Sequence, residues 1–182
     1  MDENKEQKEF WNDLKGELWV ELQTRIDPML SVFDQKLFEV LEAQSGERAL
    51  EIGCGTGTTT LKMSECLGPS GSIHAVDFSR PMICRAQERA SEASVDHADF
   101  VEADAQEYDY PSGEFDLAYS RFGAMFFQDP VKAFSKIRNA MKPGGRLGYI
   151  CWADKSKNPW ISEPAQVAKE FLELPKPPGE DE

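Results

Sequence analysis

The segment Ala49-Leu50-Glu51-Ile52-Gly53-Cys54-Gly55-Thr56-Gly57 constrains this chain more than any other stretch of it. Ala49, Leu50 and Ile52 form an apolar run that reads as a buried strand, Arg48 to Ile52, and Thr58 to Leu67 reads as a helix. Between them stand three glycines at alternate positions, where the backbone can turn tightly and approach a ligand with no side chain intervening. The helix that follows aims its unpaired N–H groups at the same spot. A strand, a glycine-rich turn and a helix make one half of a nucleotide-type binding site.

The rest of the chain supplies the frame for such a unit. Phe10, Trp11, Leu14, Leu18 and Leu22 recur at helical spacing and predict an amphipathic helix over residues 4–24. A second helix is expected from Pro28 through Met29, Phe33, Leu37, Val40 and Leu41, with Pro28 in its first turn. Strands are expected at Ser72 to Val76, around Phe100-Val101, at Phe115 to Tyr119 and at Arg146 to Trp152. They alternate with helices from Ser79 (a candidate N-cap) to Ser91 and from Asp129-Pro130 to Met141, the latter stopped by Lys142-Pro143-Gly144-Gly145. This alternation predicts an α/β fold with a doubly wound, mostly parallel sheet. The expected division is an N-terminal helical segment (1–45), the α/β domain (46–152), a partial helical segment (153–172, helical from Glu163 to Leu172) and an acidic, Pro-rich tail (173–182).

Composition narrows the partners. A formal charge of −13 argues against a broad phosphate-binding surface, so neither nucleic acid nor an anionic membrane is expected as a partner. Cys54, Cys66, Cys84 and Cys151 are scattered and read as reduced thiols, and two histidines give little basis for a metal site. The charged N-terminus reads as no signal peptide, so the cytoplasm is the expected compartment.

The loop also discriminates between nucleotides. A dinucleotide fingerprint needs its third glycine at position 58, which is Thr58; here that glycine comes one residue earlier, at Gly57. Asp77 ends the second strand, where a carboxylate accepts hydrogen bonds from both hydroxyls of a ribose or, alternatively, caps the next helix. Asp104 follows the third strand beside the same crevice, fit to receive an exocyclic amine such as adenine presents, or to sit in a solvated turn.

From Glu51-Ile52-Gly53-Cys54-Gly55-Thr56-Gly57, Asp77-Phe78, Asp104-Ala105 and Met141-Lys142-Pro143-Gly144-Gly145-Arg146-Leu147, the chain resembles the class I S-adenosylmethionine-dependent methyltransferases over residues 46–152. The resemblance implies a Rossmann-like fold and S-adenosylmethionine as cofactor. It implies that Glu51, Gly53, Cys54, Gly55, Thr56 and Gly57 hold its methionine part and Asp77 its ribose, that Phe78, Asp104 and Ala105 receive its adenine, and that Met82 and Ser120 also bind the cofactor. Ser120 falls at the methyl end of the crevice, and Ser120-Arg121-Phe122-Gly123-Ala124-Met125-Phe126-Phe127 resembles a bacterial small-molecule branch related to quinone-biosynthesis C-methyltransferases. Arg121 either orients an anionic substrate or pairs within the structure; Phe122 lines a substrate pocket or packs in the core. Trp11 and Trp19 either join a lid or pack on the sheet. No catalytic triad is expected, because proximity and alignment suffice for methyl transfer. Family members continue with two further strands that this sequence lacks, so the fifth strand is expected to be an open edge that invites a homo-oligomer. The leading expectation is a methyltransferase acting on a small molecule; the alternative is a cofactor-binding module that needs a partner to complete it.

Overall fold

The computed structural model describes residues 4–173, and it divides them into two units, up to Cys151 and from Trp152 on. In the first unit the elements run α1 (Lys5–Asn12), α2 (Leu14–Leu41), β1 (Arg48–Ile52), α3 (Thr58–Leu67), β2 (Ser72–Asp77), α4 (Arg80–Glu92), β3 (Ala98–Glu102), β4 (Phe115–Arg121), α5 (Pro130–Ala140) and β5 (Met141–Ile150). The second unit holds a helix α6 (Pro159–Lys169), with the rings of Trp152 and Trp160 5.2 Å apart. Most of the Pro-rich tail expected over 173–182 lies outside the described residues.

All strand pairs are parallel, in the order β3-β2-β1-β4-β5. Parallel neighbours need crossovers, and the helices that make them cover both faces. Along each strand successive side chains point to opposite faces. Ala49, Ile73, Ala75, Leu117 and Tyr119 therefore pack with Leu37, Leu41, Met63, Leu67 and Ile83 from α2, α3 and α4. Leu50, Ile52, Val76, Phe115 and Ala118 pack on the other side with Ile137 and Ala140 of α5. The expected doubly wound α/β fold is what forms. From β1 the chain winds outward to β2 and β3, then returns to β4 on the opposite side. Ligands bind in the crevice that opens at the strand ends where this reversal occurs.

Several boundaries differ from the sequence reading. The first helix breaks at Asp13, whose backbone is extended, and α2 then runs unbroken for 28 residues with Pro28 inside it. Pro28 is solvent-exposed. Its missing hydrogen bond is offset by anchors on either side of it, where Asp27 accepts from Thr58 and Arg89, and Asp34 from Arg121 and Lys62. Phe10, Leu14, Leu18, Met29 and Val40 are exposed rather than buried. Ser79 precedes α4 without capping it; its hydroxyl donates instead to the Trp11 carbonyl at 2.6 Å. Asp129 does cap α5, accepting from Lys132 N at 2.9 Å. Lys142-Pro143-Gly144-Gly145 lies inside β5, where the pairing jumps from Phe115 with Met141 to Leu117 with Arg146. The extra residues bulge outward, with Gly144 at φ +82°. The second unit's helix starts at Pro159 and ends at Lys169, earlier at both ends than expected.

Candidate active site at the ends of β1, β2 and β4

The glycine loop is locked by its backbone. Gly53 N and Cys54 N both donate to the Val76 carbonyl, at 2.8 and 3.3 Å, which ties the loop to the end of β2. Gly53, Gly55 and Gly57 all have positive φ, at +69°, +54° and +79°. A Cβ on Gly53 would lie 2.8 Å from the Cα of Gly123, and one on Gly57 would lie 3.0 Å from the Cβ of Ala86. At Gly55 a Cβ would meet only the Met82 methyl, at 3.5 Å. The first and third glycines are thus required by packing, and the middle one borders open space. Gly57 also gives α3 no side-chain cap, so the N-terminus of that helix faces the loop.

Asp77 clasps this arrangement. One carboxylate oxygen accepts from Gly55 N and the other from Ser79 N, both at 2.8 Å. Burial raises its pKa while these N–H donors oppose the rise. Asp104, at the turn after β3, accepts from Gln106 N at 2.9 Å and from the side-chain amide of Asn4. Ala105 beside it is buried, its carbonyl accepting from the Tyr110 hydroxyl at 2.8 Å. Met82 is buried with its methyl toward Gly55, and the Phe78 carbonyl accepts from Asn12 Nδ2 at 2.8 Å.

Glu51 is placed elsewhere than the resemblance implies. It is 1% exposed and points with Ala49 to the face covered by α2 and α3. Thr59 donates to one oxygen; Thr60 and Tyr119 donate to the other, at 2.5 and 2.8 Å. Desolvation outweighs these three hydroxyls and pushes its pKa up to about 7. Glu51 therefore supports the loop from beneath, and its side chain is fully engaged in the core. Cys54 is likewise buried, its thiol held neutral by desolvation, so it offers the crevice backbone only.

The end of β4 is built as tightly. Ser120 is buried; its hydroxyl donates to the Ile52 carbonyl at 2.8 Å and accepts from Ala124 N at 2.9 Å, pinning the turn after β4 to β1. Arg121 pairs at 2.8 Å with Asp34, which is 1% exposed and also meets Lys62 at 2.7 Å. Of the two readings of Arg121, the geometry favours the structural pair. Phe122 adopts φ +64°, rare for an aromatic residue, and its ring stands edge-on to Phe33 at 5.2 Å. Trp11 meets Phe126 and Trp19 edge-on, at 5.7 and 5.6 Å, which makes an aromatic cluster beside this end of the sheet.

Two residues escaped the sequence reading. Asn4 is buried against Asp104, and Asn12 bridges the β2–α4 loop, donating to Phe78 O and accepting from Arg80 N at 2.9 Å. Contacts made by amides across 66 to 100 residues leave no local pattern in a sequence.

Comparison with known proteins agrees with this architecture. Residues 49–145 match the model of the methyltransferase domain family. Aklanonic acid methyltransferase DauC of Streptomyces sp. strain C5 is 30% identical over 115 residues, covering 63% of this chain and 52% of that protein. A demethylmenaquinone methyltransferase of Anoxybacillus flavithermus is 31% identical over 107 residues, covering 59% and 45%. The chain thus spans about half the length of these curated relatives. A putative S-adenosyl-L-methionine-dependent methyltransferase structure from Methanococcus maripaludis superposes with a TM-score of 0.65 at 22% identity, over 86% of this chain and 73% of that one, which bears on the fold alone. A matched model over more than half of the chain shows that this chain belongs to the methyltransferase domain family.

Proposed function

We propose that this chain binds S-adenosylmethionine and that the protein transfers its methyl group to a small-molecule acceptor. The observation that carries the proposal is the loop itself. Its backbone is fixed by Val76, Ala86 and Gly123, yet it opens at Gly55, directly beside the Asp77 carboxylate. That combination suits a nucleoside whose attached chain must lie against bare backbone. In this reading the backbone of Gly53, Cys54, Gly55, Thr56 and Gly57 holds the amino-acid part, and Asp77 takes the ribose hydroxyls. Phe78, Met82, Asp104 and Ala105 receive the adenine. Glu51 and Ser120 act indirectly, by bracing the loop and the turn after β4.

The sulfonium supplies the intrinsic reactivity of the methyl group. The chain's contribution is alignment and exclusion of water. Phe122, held in its unusual conformation with Phe33 behind it, borders the methyl end and offers an apolar wall to an acceptor. Arg121 holds that wall in place through Asp34. The relatives above are named for aklanonic acid and demethylmenaquinone, which makes these the first acceptors to assay. The β5 edge pairs with no strand among the described residues and carries half-exposed Leu147 and Tyr149, which supports association between copies of the chain.

Calorimetry with S-adenosylhomocysteine tests cofactor binding, and transfer of labelled methyl from S-adenosylmethionine tests turnover. Asp77→Ala is expected to weaken binding by about 1–3 kcal/mol. Equal affinity in the two proteins would remove the ribose assignment, and binding without transfer to any acceptor would reduce the chain to a binding module.

A further inference from the structure

Helix α1 lies over the crevice, and its apolar hold is the Trp11 ring against Phe126 and Trp19 at its C-terminal end. None of its residues from Lys5 to Asn12 is buried, and Phe10 is 47% exposed. Polar contacts fix both of its ends. At the C-terminal end Asn12 clamps the β2–α4 loop at 2.8 and 2.9 Å, and the Trp11 carbonyl receives the Ser79 hydroxyl. At the N-terminal end the Asn4 amide nitrogen sits 3.1 and 3.0 Å from the two oxygens of Asp104, filling the fork of that carboxylate.

This seat is the one that the nucleoside reading gives to adenine. A side-chain carboxamide and an exocyclic amine present the same chemistry, an N–H₂ group on an sp² carbon. Both cannot occupy the fork of one carboxylate. The Asn4 seat is also imperfect, because among the described residues its buried Oδ1 has no hydrogen-bond partner. An unmet buried acceptor destabilises the closed position and leaves α1 poised to release. The chain has a joint for that release, since Asp13 is extended between α1 and α2. Gly16 follows it, packed so closely on the Trp11 carbonyl that no side chain fits.

We infer that α1 is a self-occupying latch: the Asn4 carboxamide holds Asp104 in place of the adenine amine, and the nucleoside enters by displacing it. This inference rests on the assignment of the crevice to S-adenosylmethionine. It makes Asn4 an internal competitor, so removing it strengthens ligand binding, whereas removing a residue that touches ligand weakens it.

The test compares wild type, Asn4→Ala and Asp77→Ala for S-adenosylhomocysteine binding by calorimetry and stopped-flow tryptophan fluorescence, with hydrogen exchange of residues 5–12 read by mass spectrometry. Asn4→Ala is expected to bind about three- to tenfold more tightly, through faster association, with an unchanged melting temperature for the sheet. In wild type, adding the ligand is expected to speed exchange in α1. Tight wild-type binding with no gain in Asn4→Ala, or exchange that slows on ligand addition, overturns the latch alone. Wild-type binding no tighter than that of Asp77→Ala overturns the nucleoside assignment and the latch with it.

Discussion

Replacing Glu51 by glutamine isolates the cost of a buried charge beneath the glycine loop. Glu51 is 1% exposed, and burial raises its pKa from an ordinary 4.5 to about 7, against the pull of Thr59, Thr60 and Tyr119. In the unfolded chain the carboxyl loses its proton near pH 4.5, whereas in the folded chain it keeps it until about pH 7. Over that window the folded state binds more protons than the unfolded state, so stability is full below pH 4.5 and falls as pH rises through 7. Each pH unit separating the two titrations corresponds to about 1.4 kcal/mol, which sets a ceiling of about 3 kcal/mol on the loss above about pH 8. Glutamine has the same shape and no charge, and the three hydroxyls can rotate to meet its amide. Urea melts of wild type and Glu51→Gln, followed by tryptophan fluorescence at about pH 5 and about pH 8, measure the difference. The variant is expected to lead by under about 1 kcal/mol at the lower pH and by about 3 kcal/mol at the higher. All other titrations cancel in the comparison. A difference that stays constant between the two conditions, or a variant that is the less stable in alkali, would refute the argument.

The glycines should separate packing from binding. Gly53→Ala drives a Cβ into Gly123 backbone at positive φ and is expected to cost about 2–4 kcal/mol by thermal or urea melt. Gly55→Ala meets only the Met82 methyl, so it should cost about 1–2 kcal/mol of stability while losing most affinity for S-adenosylhomocysteine. Arg121→Leu leaves Asp34 buried with Lys62 alone and is expected to cost about 3 kcal/mol, part of which the double variant Arg121→Leu/Asp34→Leu restores. A loss below about 1 kcal/mol in the single variant would show that the pair contributes little and reopen a role for Arg121 toward substrate.

The frame of the site is legible in the sequence because it is local. The strand from Arg48 to Ile52, the three glycines and the helix from Thr58 are read from adjacent residues and lie where they are expected. Glu51 departs from its expected place although the sequence carries the information. Alternation puts Leu50 and Ile52 on one face and Ala49 and Glu51 on the other, the face that α3 covers. Pro28 reads as a helix start, because nothing local announces that Asp27 and Asp34 hold the helix on either side of it. Phe122 at positive φ and the seats of Asn4 and Asn12 depend on residues far along the chain, which no periodicity encodes.

The contact between Gly53 and Gly123 joins the loop after β1 to the turn after β4 with no side chain between them. The two backbones behave there as one rigid part, and the part has no adjustable thickness. If the proposed methyl transfer holds, a change of acceptor therefore has to proceed around position 123 and not through it. In that reading the Phe122 wall is adjusted from the side of Phe33, whose ring stands edge-on to it. The glycine loop would thereby set a fixed wall from which the proposed acceptor side is measured.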